Sequence, residues 1–347
     1  MEHSFSQRVP LQFLIASFSV LLFLAVACSV ALGPMDIRVQ DALQVLLRLE
    51  STLPEYVAVI IHEVRLPRTL LAIAVGGLLA MCGAVMQGLF RNPLADPGII
   101  GVSAGASLGA AIAIVVFGGL IEHTAFLTMG TVPVFAFIGG ALTTFAVYYL
   151  GTSANGTSIT IMLLAGVALG AMSGAVMGLL NYFANDQALR DLSLWSMGSL
   201  AGANWDKLTL AYGTLLVLGI AFMRLAKPLN ALLLGEAEAR YMGINVQRLK
   251  VALICLVAAG VGVTVALSGM IGFIGLVVPH IARQFTGPAH ERLIPVSLFL
   301  GAFLLLLSDM IARVIAAPLE IPVGIITAAI GAPFFVVLLL KQRGRLS

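Results

Sequence analysis

Few residues of this sequence have the type and the spacing that a catalytic, metal or nucleotide site requires. The cysteines Cys28, Cys82 and Cys255 lie inside apolar runs without a C-x-x-C pair, so they indicate neither a metal site nor a disulfide framework. No lysine follows a Gly-x-x-x-x-Gly stretch, which excludes a P-loop for ATP. The D-x-x-x-D pattern of an intramembrane prenyl transferase is also missing. We therefore predict no catalytic residue and no metal site in this chain.

The ionisable residues argue against an ion-coupled secondary transporter. Charged side chains are costly inside a bilayer and usually mark ion or proton pathways there. Here Asp309 lies near the end of an apolar run, Glu63 precedes one, and His280 stands in a short one beside a proline. No acidic pair or arginine cluster falls in the middle of a run. A carrier or a transferase remains a remote alternative, and we expect the energy for transport to come from a separate subunit.

The composition shows which elements must position these residues. Charged residues make up 10% of the 347, hydrophobic residues reach 60%, and the mean hydropathy is +1.06. A soluble domain carries about 25% charged residues. So much apolar surface requires a bilayer as the solvent. The formal charge of only +3 offers no basic patch for nucleic acid.

Uncharged runs of about 18 residues or more are long enough to cross a bilayer. They predict an all-α integral membrane protein whose residues 1–347 form one transmembrane domain. Its ten predicted spans cover, approximately, residues 11–33, 64–90, 95–119, 129–150, 158–183, 206–225, 247–268, 272–284, 292–314 and 320–341. The first run exceeds the 7 to 15 residues of a signal-peptide core, so we expect a retained helix. With both termini cytoplasmic, 12 of the 19 Lys and Arg fall on the cytoplasmic side.

Small residues recur every four positions in three of these spans. The three series are Ala72, Gly76, Ala80, Ala84 and Gly88; Gly101, Gly105, Gly109 and Ala113; and Gly166, Gly170, Gly174 and Gly178. Positions four apart share a helix face, so each series predicts a groove for another backbone. Close packing explains such grooves, and they could also let helices slide during transport.

One polar segment between the sixth and seventh spans suits a partner protein. Residues 228–245 are rich in Ala, Leu and Glu and are bracketed by Pro228 and Gly243, which predicts a short cytoplasmic helix too polar to span the membrane. An ordinary interfacial helix is the alternative.

Several stretches resemble one family, the permeases of ATP-binding-cassette (ABC) importers for iron-siderophores, haem and cobalamin, the type II importers. They are residues 65–69 (RLPRT), 83–88 (GAVMQG), 91–98 (RNPLADPG), 164–170 (LAGVALG), 272–283 (GFIGLVVPHIAR), 320–324 (EIPVG) and 331–334 (GAPF). Within the family, the residues are most similar to haemin permeases of Gram-negative bacteria.

The resemblance implies a bundle like that of the cobalamin-importer permease, with ten helices per subunit. It also implies a homodimer in the bacterial inner membrane, two ATPase subunits that hold ATP and Mg²⁺, and a periplasmic binding protein. The transported substrate would be haem, moved intact without chemistry, with a ferric siderophore or cobalamin as the alternative. No cofactor is expected in this chain.

The resemblance assigns roles to ten residues. Gly235, Glu236, Ala239, Arg240 and Gly243 would contact the ATPase as a coupling helix, Ser158 and Thr160 would form the cytoplasmic gate, and Arg65, Arg68 and Arg313 would dock the binding protein. Simple alternatives remain open. The two hydroxyls could cap a helix, and the arginines could anchor helix ends at the headgroups. His280 falls in a motif shared across the family, so a haem-ligand role is not favoured.

Overall fold

The computed structural model describes residues 10–33, 35, 37–47, 54–118, 130–153 and 156–343. The fold is all-α, as predicted. Its helices are α1 (Leu11–Ala31), α2 (Val39–Leu46), α3 (Glu55–Leu89), α4 (Val102–Val116), α5 (Thr131–Gly151), α6 (Ile159–Phe183), α7 (Asp186–Ser196), α8 (Trp205–Leu234), α9 (Glu236–Tyr241), α10 (Val246–Ser268), α11 (Ile274–Thr286), α12 (His290–Val314) and α13 (Val323–Arg343). A two-stranded hairpin, β1 (Thr152–Ser153) and β2 (Gly156–Thr157), joins α5 to α6.

Helices occupy the same stretches of the chain, in the same order, as the ten predicted spans, and the crossing of the membrane by each of them stays a prediction. Among the described residues, seven helices are long and apolar enough to cross a membrane: α1, α3, α5, α6, α8, α10 and α12. Two shorter apolar helices, α4 and α13, correspond to the third and tenth spans, and α11 corresponds to the eighth. The predicted ends of the third and fourth spans at residues 119 and 129 lie outside the described residues.

The centre of the bundle is α3, which is buried almost all round. It packs against α12, α8, α11 and α10. A Cβ added at Gly76 would collide with the carbonyl oxygen of Gly301, and one at Gly83 with that of Gly275. Glycine therefore allows these backbones to touch, which confirms the packing groove predicted for this helix.

The other two small-residue series behave differently from each other. On α4, added Cβ atoms at Gly105 and Gly109 would collide with backbone oxygens of α5, so this groove is filled. On α6, only Gly166 meets such a backbone, and nothing lies within 4 Å of a Cβ added at Gly174 or Gly178. The outer part of the α6 groove is therefore empty in the single chain.

The structure corrects several predicted boundaries. The second span begins at Glu55 rather than residue 64, so Glu63 lies inside α3, in its π-helical stretch Ile60–Arg65. Residues 228–234 continue α8 past Pro228, and only Glu236–Tyr241 form a separate helix in the stretch predicted as one helix over 228–245. The amphipathic helix α7 was not predicted, because its polar residues interrupt the apolar pattern.

Alternating helix directions give the bundle two ends. The hairpin end holds the β1–β2 hairpin, the segment Gly235–Gly243 and the first turns of α10 and α12. The arginine end holds the last turns of α1 and α12 and the residues Arg65 and Arg68 of α3.

Candidate coupling, gate and docking sites

The segment Gly235–Gly243 begins and ends on glycines with positive φ, +140° and +81°. L side chains rarely adopt such backbone, so the two glycines allow the chain to leave α8 and to turn into α10. Between them, Ala239 is fully buried and holds α9 against the bundle. The side chain of Arg240 is 67% exposed, and its guanidinium lies 4.0 Å from Glu236, a weak surface pair.

Three exposed hydrophobic side chains, which no pattern in the sequence indicates, lie in this segment or next to it. Tyr241 is 91% exposed, Leu234 68% and Met242 62%. Exposed aromatic and methionine side chains are typical of protein interfaces. Their signal in the sequence was weak because they sit among the alanines and leucines of a helix end.

Glu236 points toward the bundle and pairs with Lys250 of α10. The Lys250 Nζ lies 2.7 Å from Glu236 Oε1 and donates to the carbonyl oxygen of Thr157 at 3.0 Å. Lys250 is only 4% exposed, although it was counted as an ordinary cytoplasmic charge in the sequence. This contact joins the segment to the hairpin.

The two predicted gate residues lie at the start of α6, Ser158 at its N-cap directly after β2 and Thr160 in its first turn. The Ser158 hydroxyl accepts the N–H of Ile161 at 3.4 Å and so caps the helix, as the simpler alternative expected. Thr160 is exposed in the single chain. The gate role of both residues stays a prediction.

The three predicted docking arginines are buried at the arginine end. Arg68 donates from Nε to Asp309 at 2.9 Å and from Nη1 to Glu320 at 2.6 Å. Arg313 Nε lies 3.1 Å from the other oxygen of Asp309. The side chains of Arg68 and Arg313 are 6% and 3% exposed. Asp309 therefore joins two arginines inside the protein.

Two of these arginines, Arg65 and Arg313, hold the end of α1. Arg65 donates to the carbonyl oxygens of Val30, Ala31 and Met35. Arg313 donates to the carbonyl oxygens of Ser29 and Leu32 at 3.0 Å each and to the Ser29 hydroxyl at 2.7 Å. Cations suit the unpaired carbonyls at a helix C-terminus. Here the arginines anchor a helix end through protein carbonyls, and their docking role stays a prediction.

Within the described part of the chain, no three His, Cys, Asp or Glu residues lie close enough to hold a metal ion. The geometry thus offers polar contacts between helices at both ends and close backbone packing between them.

Comparison with known proteins decides what kind of transport protein this is. Residues 21–341 match the model of the FecCD transport family. The chain belongs to this family. It is a permease of an ABC importer, a multi-pass membrane protein and not an enzyme.

Curated relatives agree with this assignment. The chain is 46% identical over 281 residues to the hemin transport system permease protein HmuU of Yersinia pestis, covering 81% of this chain and 83% of the relative. It is 42% identical over 285 residues to the vitamin B12 import system permease protein BtuC of Klebsiella pneumoniae, covering 82% and 83%. Among solved structures, an inward-facing metal-chelate type ABC transporter superposes with a TM-score of 0.83 at 32% identity, covering 95% of this chain and 99% of that one.

Proposed function

We propose that this chain is the membrane-spanning permease of an ABC importer that moves haem from a periplasmic binding protein into the cytoplasm. The observation that carries the proposal is the 46% identity to a hemin permease over 81% of the chain. No P-loop is found in the sequence, so ATP and Mg²⁺ would bind to separate ATPase subunits. Haem would pass through the permease intact, as substrate.

Cobalamin is the second candidate substrate, and a ferric siderophore is the third. Cobalamin is supported by 42% identity to a vitamin B12 permease over 82% of the chain. A metal chelate is supported by the solved structure at 32% identity. All three substrates are large chelates that contain a metal, so one path could suit any of them.

We also propose that two copies assemble around a central path. The outward face of α6 supports this, since Leu164, Val167 and Met172 are at least 63% exposed and the outer part of its glycine groove is empty. The path would run between the two α6 helices, and Ser158 and Thr160 at their first turns would narrow it. This arrangement gives the exposed Thr160 a facing partner.

The two ends would then face opposite sides of the inner membrane. The hairpin end would be cytoplasmic and would present Gly235–Gly243 to the ATPase subunits, with both termini on that side. The arginine end would be periplasmic and would receive the binding protein, with Arg65, Arg68 and Arg313 at the contact. Because these arginines are paired inside the single chain, docking would exchange internal partners for carboxylates of the binding protein.

The experiment that tests the function uses the permease with its ATPase and binding protein in liposomes. ATP hydrolysis and uptake are measured with haem, cobalamin or a ferric siderophore bound to the binding protein. We expect haem to stimulate ATP hydrolysis and to accumulate inside. Stimulation by cobalamin or a siderophore without stimulation by haem would assign the other substrate, and uptake driven by an ion gradient without ATP would contradict the whole proposal.

A further inference from the structure

Three polar atoms of one hairpin residue are held by two side chains of α10. Gln247 accepts the Thr157 N–H at 3.1 Å and donates to the Thr157 hydroxyl at 2.6 Å. Lys250, three residues later, donates to the Thr157 carbonyl oxygen at 3.0 Å. Residues three apart share a helix face, so both side chains reach the hairpin together. Thr157 therefore moves with the first turn of α10.

Hydrogen bonds within the hairpin connect Thr157 to the start of α6. The Thr157 and Thr152 hydroxyls lie 3.0 Å apart across the two strands, and the Ser158 N–H donates to the Gly151 carbonyl oxygen at 2.8 Å. Ile159, two residues after Thr157, is the first residue of α6. A shift of Thr157 therefore displaces the start of the helix that carries Ser158 and Thr160.

Lys250 also binds the segment Gly235–Gly243 through an ion pair with Glu236. A hydrogen bond between two charged groups is stronger than a neutral one, and burial strengthens it further. The Nζ–Oε1 distance is 2.7 Å, and the lysine side chain is 5% exposed. If Glu236 moved away alone, a buried ammonium would lose its carboxylate, which is costly. Separation of Glu236 from Lys250 is therefore unfavourable.

We propose that Lys250, with Gln247, is the link that passes motion of the segment Gly235–Gly243 to the hairpin and the start of α6. The inference rests on the proposed function, in which this segment contacts the ATPase and α6 narrows the path. Lys250 is a positioning residue here and does not touch the substrate. Its ammonium binds one acceptor on each moving part, Glu236 on one side and Thr157 on the other.

The first test compares Lys250→Met with Arg248→Met in the complete transporter in liposomes. Both variants remove one positive charge from the first turn of α10, but Arg248 is exposed whereas Lys250 is buried. We expect Lys250→Met to keep its ATPase subunits and its basal ATP hydrolysis while substrate uptake per ATP falls at least tenfold. Arg248→Met should stay within twofold of the parent. Unchanged uptake per ATP in Lys250→Met, or loss of the ATPase subunits from it, would overturn the inference.

The second test measures movement of the hairpin directly. A spin label is placed at Ser153→Cys after the exposed Cys28 and Cys255 are changed to serine, and the distance between the two copies is measured with and without trapped nucleotide. We expect a nucleotide-dependent shift in the parent that disappears in Lys250→Met although the ATPase stays bound. A normal shift in Lys250→Met would overturn the link. If the parent lacked a shift and any substrate-stimulated hydrolysis, the proposed function itself would fail, and the link with it.

Discussion

Asp309 is the residue on which the arginine end depends, since it lies between Arg68 and Arg313 and is fully buried. Removing one partner of a buried ion pair typically costs about 3–5 kcal/mol, because the other charge is left uncompensated. We expect Arg313→Met to lower the free energy of unfolding by about 3 kcal/mol, the lower value, because Asp309 keeps its ion pair with Arg68. The loss also includes the hydrogen bonds that Arg313 donates to carbonyl oxygens at the end of α1. Thermal unfolding in detergent measures it, with the exposed Arg38→Met as control. Equal unfolding temperatures for the two variants would contradict the role of Asp309.

A substitution of Glu320 tests docking with less disturbance of the fold than a charge reversal of Arg68. Changing Arg68 to Glu would bring a third carboxylate to Asp309 and Glu320, so it would disturb folding as well as docking. The variant Glu320→Gln instead removes the one partially exposed partner of Arg68, whose side chain is 34% exposed. We expect the binding protein to bind to the Glu320→Gln permease severalfold more tightly at low salt, because Arg68 has lost the charge of one internal partner. The gain in affinity should shrink as salt screens the charges.

The control for this measurement is Glu63→Gln, which removes the same charge from an exposed position on α3 at the same end. An equal gain in both variants would mean that net charge alone is responsible. No gain in Glu320→Gln would show that Arg68 does not receive the binding protein.

At the scale of elements, hydropathy predicted the ten spans because apolar length is a local property of the sequence. The predicted helix boundaries were wrong where packing against neighbouring helices outweighed the local sequence signal. The sequence predicts that Pro228 opens a separate helix over residues 228–245, yet α8 continues through Pro228 to Leu234, since neighbouring helices can compensate for the lost backbone bond. The contacts of Arg68 with Asp309 and Glu320 span 241 and 252 residues of sequence, so no motif could reveal them.

For the candidate sites as well, local motifs could be read from the sequence, whereas contacts between distant residues could not. The family motifs predicted which residues lie near each end, and the structure adds the partners of their side chains. The buried contact of Lys250 with Glu236 could not be read from the sequence, because a lysine in the first turn of a span normally faces water or headgroups. The exposure of Tyr241 was equally hidden, since it depends on how α9 packs.

The short helix α9 should bind the ATPase through its exposed aromatic ring. Tyr241 is 91% exposed, and aromatic side chains are frequent hot spots of interfaces. We expect Tyr241→Ala to weaken ATPase binding at least tenfold, or about 1.4 kcal/mol, without changing the unfolding temperature. Co-purification at graded ATPase concentrations measures this. Tyr56→Ala, at the arginine end and 57% exposed, is the control. The same affinity in both variants would remove Tyr241 from the interface.

For the whole molecule, the proposed orientation has a direct test in reporter fusions. Fusions after Gly243 and at the C-terminus should report the cytoplasm, and one near residue 50, which lies outside the described residues, should report the periplasm. Gly243 suits a fusion because it is exposed and follows α9. A cytoplasmic reporter near residue 50 would contradict the ten-span arrangement.

The proposed dimer predicts that Gly174 and Gly76, which both belong to series of small residues four positions apart, respond differently to substitution by leucine. Gly174→Leu should leave the unfolding temperature of the single chain unchanged, since nothing lies within 4 Å of its added Cβ, but should prevent dimer formation. Gly76→Leu should disrupt folding, because the added atoms collide with Gly301. Molecular mass in detergent and thermal unfolding separate the two effects. A normal dimer in Gly174→Leu would show that this face meets lipid.

The anchoring of α1 also constrains the order of biogenesis. Few residues of this helix are buried, and its end is held by Arg313, 284 residues after Ser29. A growing chain therefore inserts α1 long before its main partner α12 has been made. Until then, Arg65 and Thr69 of α3 supply the contacts with the end of α1. The hydrogen bonds of Arg313 to α1 therefore form only after α12 has been synthesised.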